Sequence, residues 1–250
     1  MKNKTYGLIG FPLGHSFSKK YFNDKFQNEN ICAEYINFEI EDINCLKDII
    51  YSNEIYGLNV TIPHKKSVIP LLDEIDNEAK NIGAVNVIKF IRRDNKLILK
   101  GYNTDIIGFT NSITPLIGEK NKKALILGTG GVSKAIEYSL NKIGIETLYV
   151  SRTAKPNVIT YNQLTEEIMM EYSIIVNASP VGMFPNIDNA PNIPYQFLTP
   201  EHVVFDTIYN PQETLFMRLA TERGAKVKNG LEMLEGQAIA AWNIWNDKHI

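Results

Sequence analysis

Residues 123–153, KALILGTGGVSKAIEYSLNKIGIETLYVSRT, indicate the fold of the chain most clearly. An apolar run at 124–127 leads into a glycine-rich turn at 128–131. A helical pattern of apolar residues follows and stops at Gly144, and a second apolar run covers 147–150. This order predicts a strand, a helix and a second strand, the repeating unit of parallel α/β sheets.

Glycines at a strand-to-helix turn let backbone N–H groups approach a pyrophosphate, and the helix N-terminus favours its negative charge. A glycine-rich turn alone is weak evidence, because it also occurs as a plain connection in ordinary α/β domains. Here the strands and the helix around it favour dinucleotide binding. The predicted contacts are Gly128, Thr129, Gly130, Gly131 and Val132.

The tip of the second strand distinguishes the two nicotinamide dinucleotides. NAD sites usually place an acidic residue there to hold the ribose 2′-hydroxyl. This chain has Ser151, Arg152 and Thr153, then Lys155, and no carboxylate. An arginine pairs with a 2′-phosphate through its charge and its planar set of donors. The sequence therefore predicts NADP rather than NAD, with Lys155 as a second phosphate contact.

The composition argues against several other classes of protein. A net charge of -2 disfavours binding driven by nucleic-acid phosphates. Cys32 and Cys45 form no C-x-x-C motif, no spacing indicates a metal site, and His15 and His64 are typical of structural histidines. Apolar runs are too short for a transmembrane helix or a signal peptide. We expect a cytoplasmic protein that binds no nucleic acid, membrane or metal.

Strands and helices also alternate on both sides of the glycine turn, which predicts two α/β layer structures. The proline-rich connection 180–200 is long, and such loops are often functional. Strands are predicted at 5–9, 33–40, 56–62, 84–91, 97–102, 173–177, 203–208 and 225–228, and helices after Ser16 and at 42–52, 75–81, 106–113, 163–170, 212–223 and 231–246.

Polar residues stand at the predicted strand ends and loop starts, where such sheets bind ligands. Together they suit a small acid rich in hydroxyl groups. Simpler explanations remain for each: a serine or Asp105 could only cap a helix, and Lys65 alone is typical of a surface lysine. The candidates are Ser16, Ser18, Asn59, Thr61, Lys65, Asn86, Thr104 and Asp105.

Several segments, in this order, resemble the motifs of the shikimate dehydrogenase family. Together they cover nearly the whole chain. They are GFPLGHSFS at 10–18, LNVTIPHK at 58–65, GAVN at 83–86, GYNTD at 101–105, the glycine turn with SRT at 151–153, NASPVGM at 177–183, DTIYNP at 206–211 and NGLEMLEGQA at 229–238.

This resemblance implies an oxidoreductase that reversibly reduces 3-dehydroshikimate to shikimate with NADPH, on the route to aromatic amino acids. It implies an N-terminal substrate-binding domain, residues 1–104 plus 231–250, and a Rossmann-type NADP-binding domain, residues 105–230. The active site is expected in the cleft between the two domains.

The resemblance also implies a role for each matching residue. Lys65 is expected to be the catalytic acid/base at the reacting oxygen, with Asp105 beside it, and Ser16 and Ser18 are expected to hold the substrate carboxylate. Ring hydroxyls are expected at Thr61, Asn86, Asp105 and Gln237, with Tyr209 lining the site and Gly230 and Met233 contacting the cofactor.

Three positions, Lys19, Phe22 and Glu232, depart from the usual family pattern. One alternative is a related enzyme that acts on quinate or another ring hydroxy acid. A second alternative is a non-catalytic ligand sensor on the same fold, although the presence of both Lys65 and Asp105 argues against it. Monomer and homodimer are both open.

Overall fold

The structure is a computed structural model, and it describes residues 4–14, 16–94 and 96–248. His15, which belongs to one of the quoted motifs, lies outside the described residues. The chain divides into two compact units. The first contains the described residues up to Thr104 and those from Ala238 onward, and the second runs from Asp105 to Gln237.

The first unit begins with alternating strands and helices and ends with a strand pair. Its elements are β1 (Lys4–Gly10), α1 (Phe17–Asn28), β2 (Ala33–Glu39), α2 (Leu46–Ser52), β3 (Ile55–Val60), α3 (His64–Ser67), β4 (Glu74–Ile75), α4 (Asn77–Ile82), β5 (Val87–Arg93) and β6 (Lys96–Tyr102).

The second unit alternates strands and helices throughout. Its elements are α5 (Asp105–Ile113), β7 (Lys123–Leu127), α6 (Gly131–Lys142), β8 (Glu146–Ser151), β9 (Val158–Thr160), α7 (Glu166–Glu171), β10 (Ile174–Asn177), β11 (Val203–Asp206), α8 (Leu215–Thr221), β12 (Lys226–Lys228) and the start of α9 (Leu231–Trp245), whose later residues belong to the first unit.

The first sheet has the strand order β2-β1-β3-β5-β6-β4. β1 lies parallel to β2 and β3, whereas β5 lies antiparallel to both β3 and β6. Asn59 therefore stands opposite Val87, and Val87 stands opposite Tyr102. As a consequence, β1, β3 and β6 end, and β5 begins, at the same edge of the sheet.

The second sheet is parallel throughout, in the order β12-β11-β10-β7-β8-β9. Counted within this unit, the order is that of a Rossmann-type doubly wound sheet, and it reverses between β7 and β10. Ligands of such sheets bind outside the carboxyl ends of the strands at this reversal. The loops that follow β7 and β10 therefore flank the expected binding crevice.

Both faces of the second sheet are buried. Alternate residues of β7 enter different hydrophobic clusters: Ala124 and Ile126 pack on one face, and Leu125 and Leu127 pack on the other. A strand buried on both faces is a continuous apolar run in the sequence. For this reason the predicted strand–helix–strand unit at 123–153 is confirmed as β7, α6 and β8.

Several predicted helices begin later in the structure than in the sequence analysis, and two of them show why. The segment 75–81 starts as strand, and its helix begins at Asn77 because Asp76 accepts a hydrogen bond from the N–H of Glu78. The segment 163–170 becomes helical only from Glu166, where the side chain of Thr165 caps α7. Helix caps of this kind set the start of a helix more sharply than apolar periodicity does.

Residues 231–237 belong to the second unit by their packing. Met233 lies in a buried cluster with Phe109 and Phe205. The predicted substrate-binding domain instead groups residues 231–250 with residues 1–104. Because that domain is named for the ligand it binds, its boundaries stay a prediction. No helix in the described part of the chain is long and apolar enough to cross a membrane.

An aromatic cluster fills one side of the first unit. The rings of Tyr6 and Trp245 lie 5.0 Å apart between centroids, and Phe22 and Phe26 pack beside them. The indole N–H of Trp245 donates to the Ile88 carbonyl at 3.1 Å. This indole occupies the space where a side chain on Gly57 would lie.

We expect Gly57→Ala to lower the unfolding free energy of the first unit by about 1–3 kcal/mol, because the added methyl overlaps the Trp245 indole. The 2 tryptophans of the chain, at 242 and 245, both lie in this unit, so their fluorescence during urea unfolding reports on it. Gly14→Ala is the matched control, since a methyl there meets nothing within 4 Å. Equal stability of the two variants would contradict this packing.

Candidate functional site

A cleft of about 650 Å³ opens in the second unit at the carboxyl ends of its strands. The glycine turn after β7, the tip of β8 and the loop after β10 all contribute to its wall. Its lining residues are Gly128, Thr129, Gly130, Ser151, Arg152, Thr160, Tyr161, Asn162, Ala178, Ser179, Pro180, Val181, Ala190, Pro191 and Asn192.

The glycine turn is built for close backbone approach. Gly128 has a φ of +113°, in a region that favours glycine, and a Cβ there would lie 3.1 Å from the Ala178 carbonyl oxygen. At positions 130 and 131 a Cβ would meet nothing within 4 Å, so the backbone at the start of α6 is open. Unpaired N–H groups at such a helix start suit a pyrophosphate.

A second wall of the cleft carries a positive charge. Arg152 directly follows β8, and Ser151 stands in register with Thr160 on β9. Burial raises the pKa of the Tyr161 phenol, and the nearby Arg152 charge opposes that rise. A guanidinium beside a half-buried aromatic ring suits the adenosine 2′-phosphate end of NADP. The residues present therefore fit this cofactor.

Other predicted cofactor residues lie outside the cleft lining. Gly131 and Val132 form the first turn of α6, and the Lys155 carbonyl accepts a hydrogen bond from the Val158 N–H. Gly230 donates its N–H to the carbonyl of Ile208 at 3.0 Å. The roles assigned to these residues stay predictions.

Two further predicted contacts, Thr153 and Met233, also lie outside the lining. The N–H of Thr153 donates to the Ser151 hydroxyl at 3.4 Å, and Met233 is buried in a hydrophobic cluster. Sequence reasoning missed the wall at 160–162 and did not assign the turn at 178–181 to the cofactor. The first segment begins with the last residue of β9, and the second directly follows β10. The short β9 gives no clear apolar signal.

In the first unit, the shared edge of the sheet brings three predicted residues together. Asn86 precedes β5, and its backbone carbonyl accepts the N–H of Val60, the residue before Thr61. Lys65 is close by, because its carbonyl accepts the N–H of Val85 at 2.8 Å. Thr61 and Lys65, from the segment after β3, thus lie close to Asn86, which precedes β5.

The side chain of Asn86 is held within the same edge. Its Oδ1 accepts the backbone N–H of Thr104 at 2.8 Å and the Thr104 hydroxyl at 3.3 Å. The Asn103 amide donates to the Ala84 carbonyl at 3.0 Å. These bonds fix the chain just before Asp105, which begins α5 and belongs to the second unit.

Ser16 and Ser18 stand at the start of α1. The Ser16 side chain accepts the N–H of Lys19 at 3.2 Å, so it caps the helix as the simpler explanation requires. Ser18 hydrogen-bonds the phenol of Tyr35, which in turn donates to Asn59 Oδ1 at 2.7 Å. Complete burial raises the pKa of Tyr35 well above its ordinary value, and the Ser18 bond opposes this rise.

The remaining predicted residues lie in different units or have structural partners. Asp105, Tyr209 and Gln237 belong to the second unit, whereas Lys65 belongs to the first, so the pairing of Lys65 with Asp105 stays a prediction. His64 is buried, with Nε2 at 2.7 Å from the Ile40 carbonyl, as expected of a structural histidine. No group of three or more potential metal ligands occurs among the described residues.

Comparison with known proteins gives the same family from both sequence and structure. Residues 8–88 match the family model of the shikimate dehydrogenase substrate binding domain. The chain is 40% identical to a shikimate dehydrogenase (NADP(+)) of Methanosphaera stadtmanae, over 99% of this chain and 93% of that protein. It is 36% identical to one from Desulforamulus reducens, over 98% and 90%.

The solved shikimate dehydrogenase of Aquifex aeolicus has a TM-score of 0.85 and 36% identity, covering 99% of this chain and 94% of that one. The chain belongs to the shikimate dehydrogenase family. Of the three positions that depart from the usual family pattern, two make side-chain contacts in the structure. Phe22 stacks on Tyr35, with centroids 4.8 Å apart, and Glu232 pairs with Lys228 at the start of α9.

One carboxyl group of the second unit is strongly perturbed. Burial raises the pKa of Asp206, at the end of β11, from 3.8 to about 6. Hydrogen bonds from Thr214, Ile208 and Asn177 oppose the rise without cancelling it. Because the folded protein holds the proton more tightly than the unfolded chain, the cost of this buried charge is fully present above pH 6 and relieved below it.

We therefore expect the wild type to become more stable relative to Asp206→Asn as the pH falls. From about pH 7 to about pH 5, the gain in unfolding free energy is about 1 kcal/mol, because the amide of the variant does not titrate. Urea unfolding of both proteins at several pH values measures the difference. A difference that stays constant across this range would refute the raised pKa.

Proposed function

We propose that this chain is an NADP-dependent dehydrogenase that reversibly reduces 3-dehydroshikimate to shikimate. The observation that carries the proposal is the second unit's cleft, where a glycine turn and Arg152 line the same space. Family membership supplies the substrate, since the relatives are named as shikimate dehydrogenases that use NADP(+). A cytoplasmic location and a monomeric or homodimeric state stay predictions from the sequence.

The second unit binds the cofactor in this proposal. The N–H groups of the turn 128–131 and of the first turn of α6 bind the pyrophosphate, and Arg152 pairs with the 2′-phosphate. Ser151, Thr153 and Lys155 add donors at the same end. Bound NADPH supplies a hydride to the substrate carbonyl carbon.

The first unit supplies most of the substrate contacts in this proposal. Ser16 and Ser18 hold the carboxylate, an arrangement supported by their position at the start of a 12-residue helix. Thr61 and Asn86 bind ring hydroxyls, supported by their meeting at one sheet edge. From the second unit, Asp105, Tyr209 and Gln237 complete the set by family resemblance.

Lys65 is the proposed acid/base. Reduction of a ketone leaves negative charge on its oxygen, and a lysine ammonium both stabilises that charge and donates the proton. Asp105 orients the lysine and accepts a hydrogen bond from a substrate hydroxyl. In the reverse direction Lys65 takes the proton from the hydroxyl of shikimate.

The kinetic test of this proposal compares kcat/KM for shikimate and quinate, each with NADP+ and NAD+. We expect shikimate with NADP+ to be the preferred pair. Arg152→Ala should reduce the preference for NADP+ by on the order of tenfold or more, the value of a charge-assisted bond, with little change for NAD+. Arg218→Ala, an exposed arginine on α8, is the control. Equal use of quinate, or a preference for NAD+, would overturn the assignment.

Lys65→Ala should lower kcat by on the order of a thousandfold, because the reacting oxygen loses its proton donor. Shikimate binding, measured by titration calorimetry in the presence of NADP+, should persist. The neighbouring Lys66 is exposed, so Lys66→Ala is the matched control and should keep wild-type kcat. Undiminished turnover by Lys65→Ala would remove this lysine from the mechanism.

A further inference from the structure

One buried side chain makes three hydrogen bonds with the turn 178–181, which lines the cofactor cleft. Asn177, the last residue of β10, accepts the N–H of Ser179 at 3.1 Å and its hydroxyl at 2.7 Å through Oδ1. Its Nδ2 donates to the Val181 carbonyl at 3.2 Å. The orientation of this amide therefore determines both ends of the turn.

The orientation of the Asn177 amide is set by Asp206. The two residues are register partners on β10 and β11, both are fully buried, and Asn177 Nδ2 donates to Asp206 Oδ1 at 3.0 Å. An ionised carboxylate only accepts hydrogen bonds, so Asn177 must turn its NH₂ group towards Asp206. Its oxygen is then directed at Ser179.

Asp206 is itself held by neutral donors. Its Oδ1 also accepts the N–H of Ile208 at 3.1 Å, and its Oδ2 accepts the Thr214 hydroxyl at 2.7 Å. The Thr214 oxygen in turn accepts the N–H of Met217 and caps α8. Each of these donors carries no charge, and a buried carboxylate without a cationic partner costs stability. A role in packing alone does not require this charge.

We propose that Asp206 is a positioning residue for the cofactor, which acts through Asn177 to keep the turn 178–181 in the shape that lines the cleft. This inference rests on the proposed function, which assigns that cleft to NADP. In this proposal Asp206 acts on the cofactor through Asn177 and the turn, so its replacement weakens cofactor binding and leaves the residues of the first unit unchanged.

The direct test is Asp206→Asn, which keeps the volume but turns one acceptor into a donor. We expect the Kd of NADP+, measured by calorimetry without substrate, to rise by about tenfold or more. The KM for shikimate at saturating NADP+ should change by less than about threefold. If the variant binds NADP+ as the wild type does, the proposal is overturned.

A double-mutant cycle tests whether the effect passes through the turn. Ser179→Ala removes the hydroxyl that donates a hydrogen bond to Asn177 Oδ1. If Asp206 acts through Asn177, the effect of Asp206→Asn on the Kd of NADP+ is clearly smaller in the Ser179→Ala background. Additive effects would contradict the proposed route.

Two controls separate positioning from loss of stability. His202 precedes β11 at its opposite end, is buried, and bonds Thr199 at 3.0 Å and the Met169 carbonyl at 2.9 Å. His202→Gln should lower the unfolding midpoint and leave the Kd of NADP+ unchanged. If His202→Gln weakens NADP+ binding as much as Asp206→Asn does, Asp206 acts by stabilising the fold and not by positioning the turn.

Thr214 provides a second test that does not depend on whether Asp206→Asn folds. Thr214→Val removes the hydroxyl bonded to Asp206, whereas Thr214→Ser keeps it, so binding should weaken in the first and recover in the second. Wild-type affinity in Thr214→Val would contradict the inference.

Failure of the proposed function can be distinguished from failure of this inference. If the wild type binds NADP+ but does not oxidise shikimate, the proposed substrate is overturned. The comparisons of NADP+ affinity then still decide the role of Asp206.

Discussion

The close approach of the backbone at Gly128 to the loop after β10 is the constraint on which the cofactor cleft depends. A side chain at this position would press against the Ala178 carbonyl, and its φ of +113° disfavours other residues. The N–H of Gly128 donates to the Val150 carbonyl, and the N–H of Ala178 donates to the Leu127 carbonyl. The turn, the tip of β8 and the loop after β10 are thereby brought to one crevice. Arg152 stands on the wall of that crevice because β8 ends there.

In the first unit, the mixed sheet brings polar residues to one edge. Because β5 runs antiparallel to β3, Asn86 at its start lies beside Thr61 at the end of the neighbouring strand. The buried bond from Tyr35 to Asn59 connects this edge with Ser18 on α1. The fold thus places polar residues from distant segments together, on a sheet whose other side chains are mainly apolar.

The sequence predicted most of the sheet cores, because strands buried on both faces are continuous apolar runs, as at 124–127. It did not predict β9, since three residues carry no periodicity, and it started α4 and α7 too early because side-chain caps decide those positions. For the site, glycine spacing and Arg152 indicated the cleft. The hydrogen bond between Asn177 and Asp206 could not be predicted. It depends on the register of two strands, and the two residues are 29 positions apart in the sequence.

A crystal structure of this protein with bound NADP+ and shikimate would test the account most directly. It should place the pyrophosphate against the turn 128–131 and the 2′-phosphate against Arg152. The shikimate carboxylate should lie against Ser16 and Ser18. A dinucleotide bound away from this turn, or a 2′-phosphate that does not contact Arg152, would contradict the account.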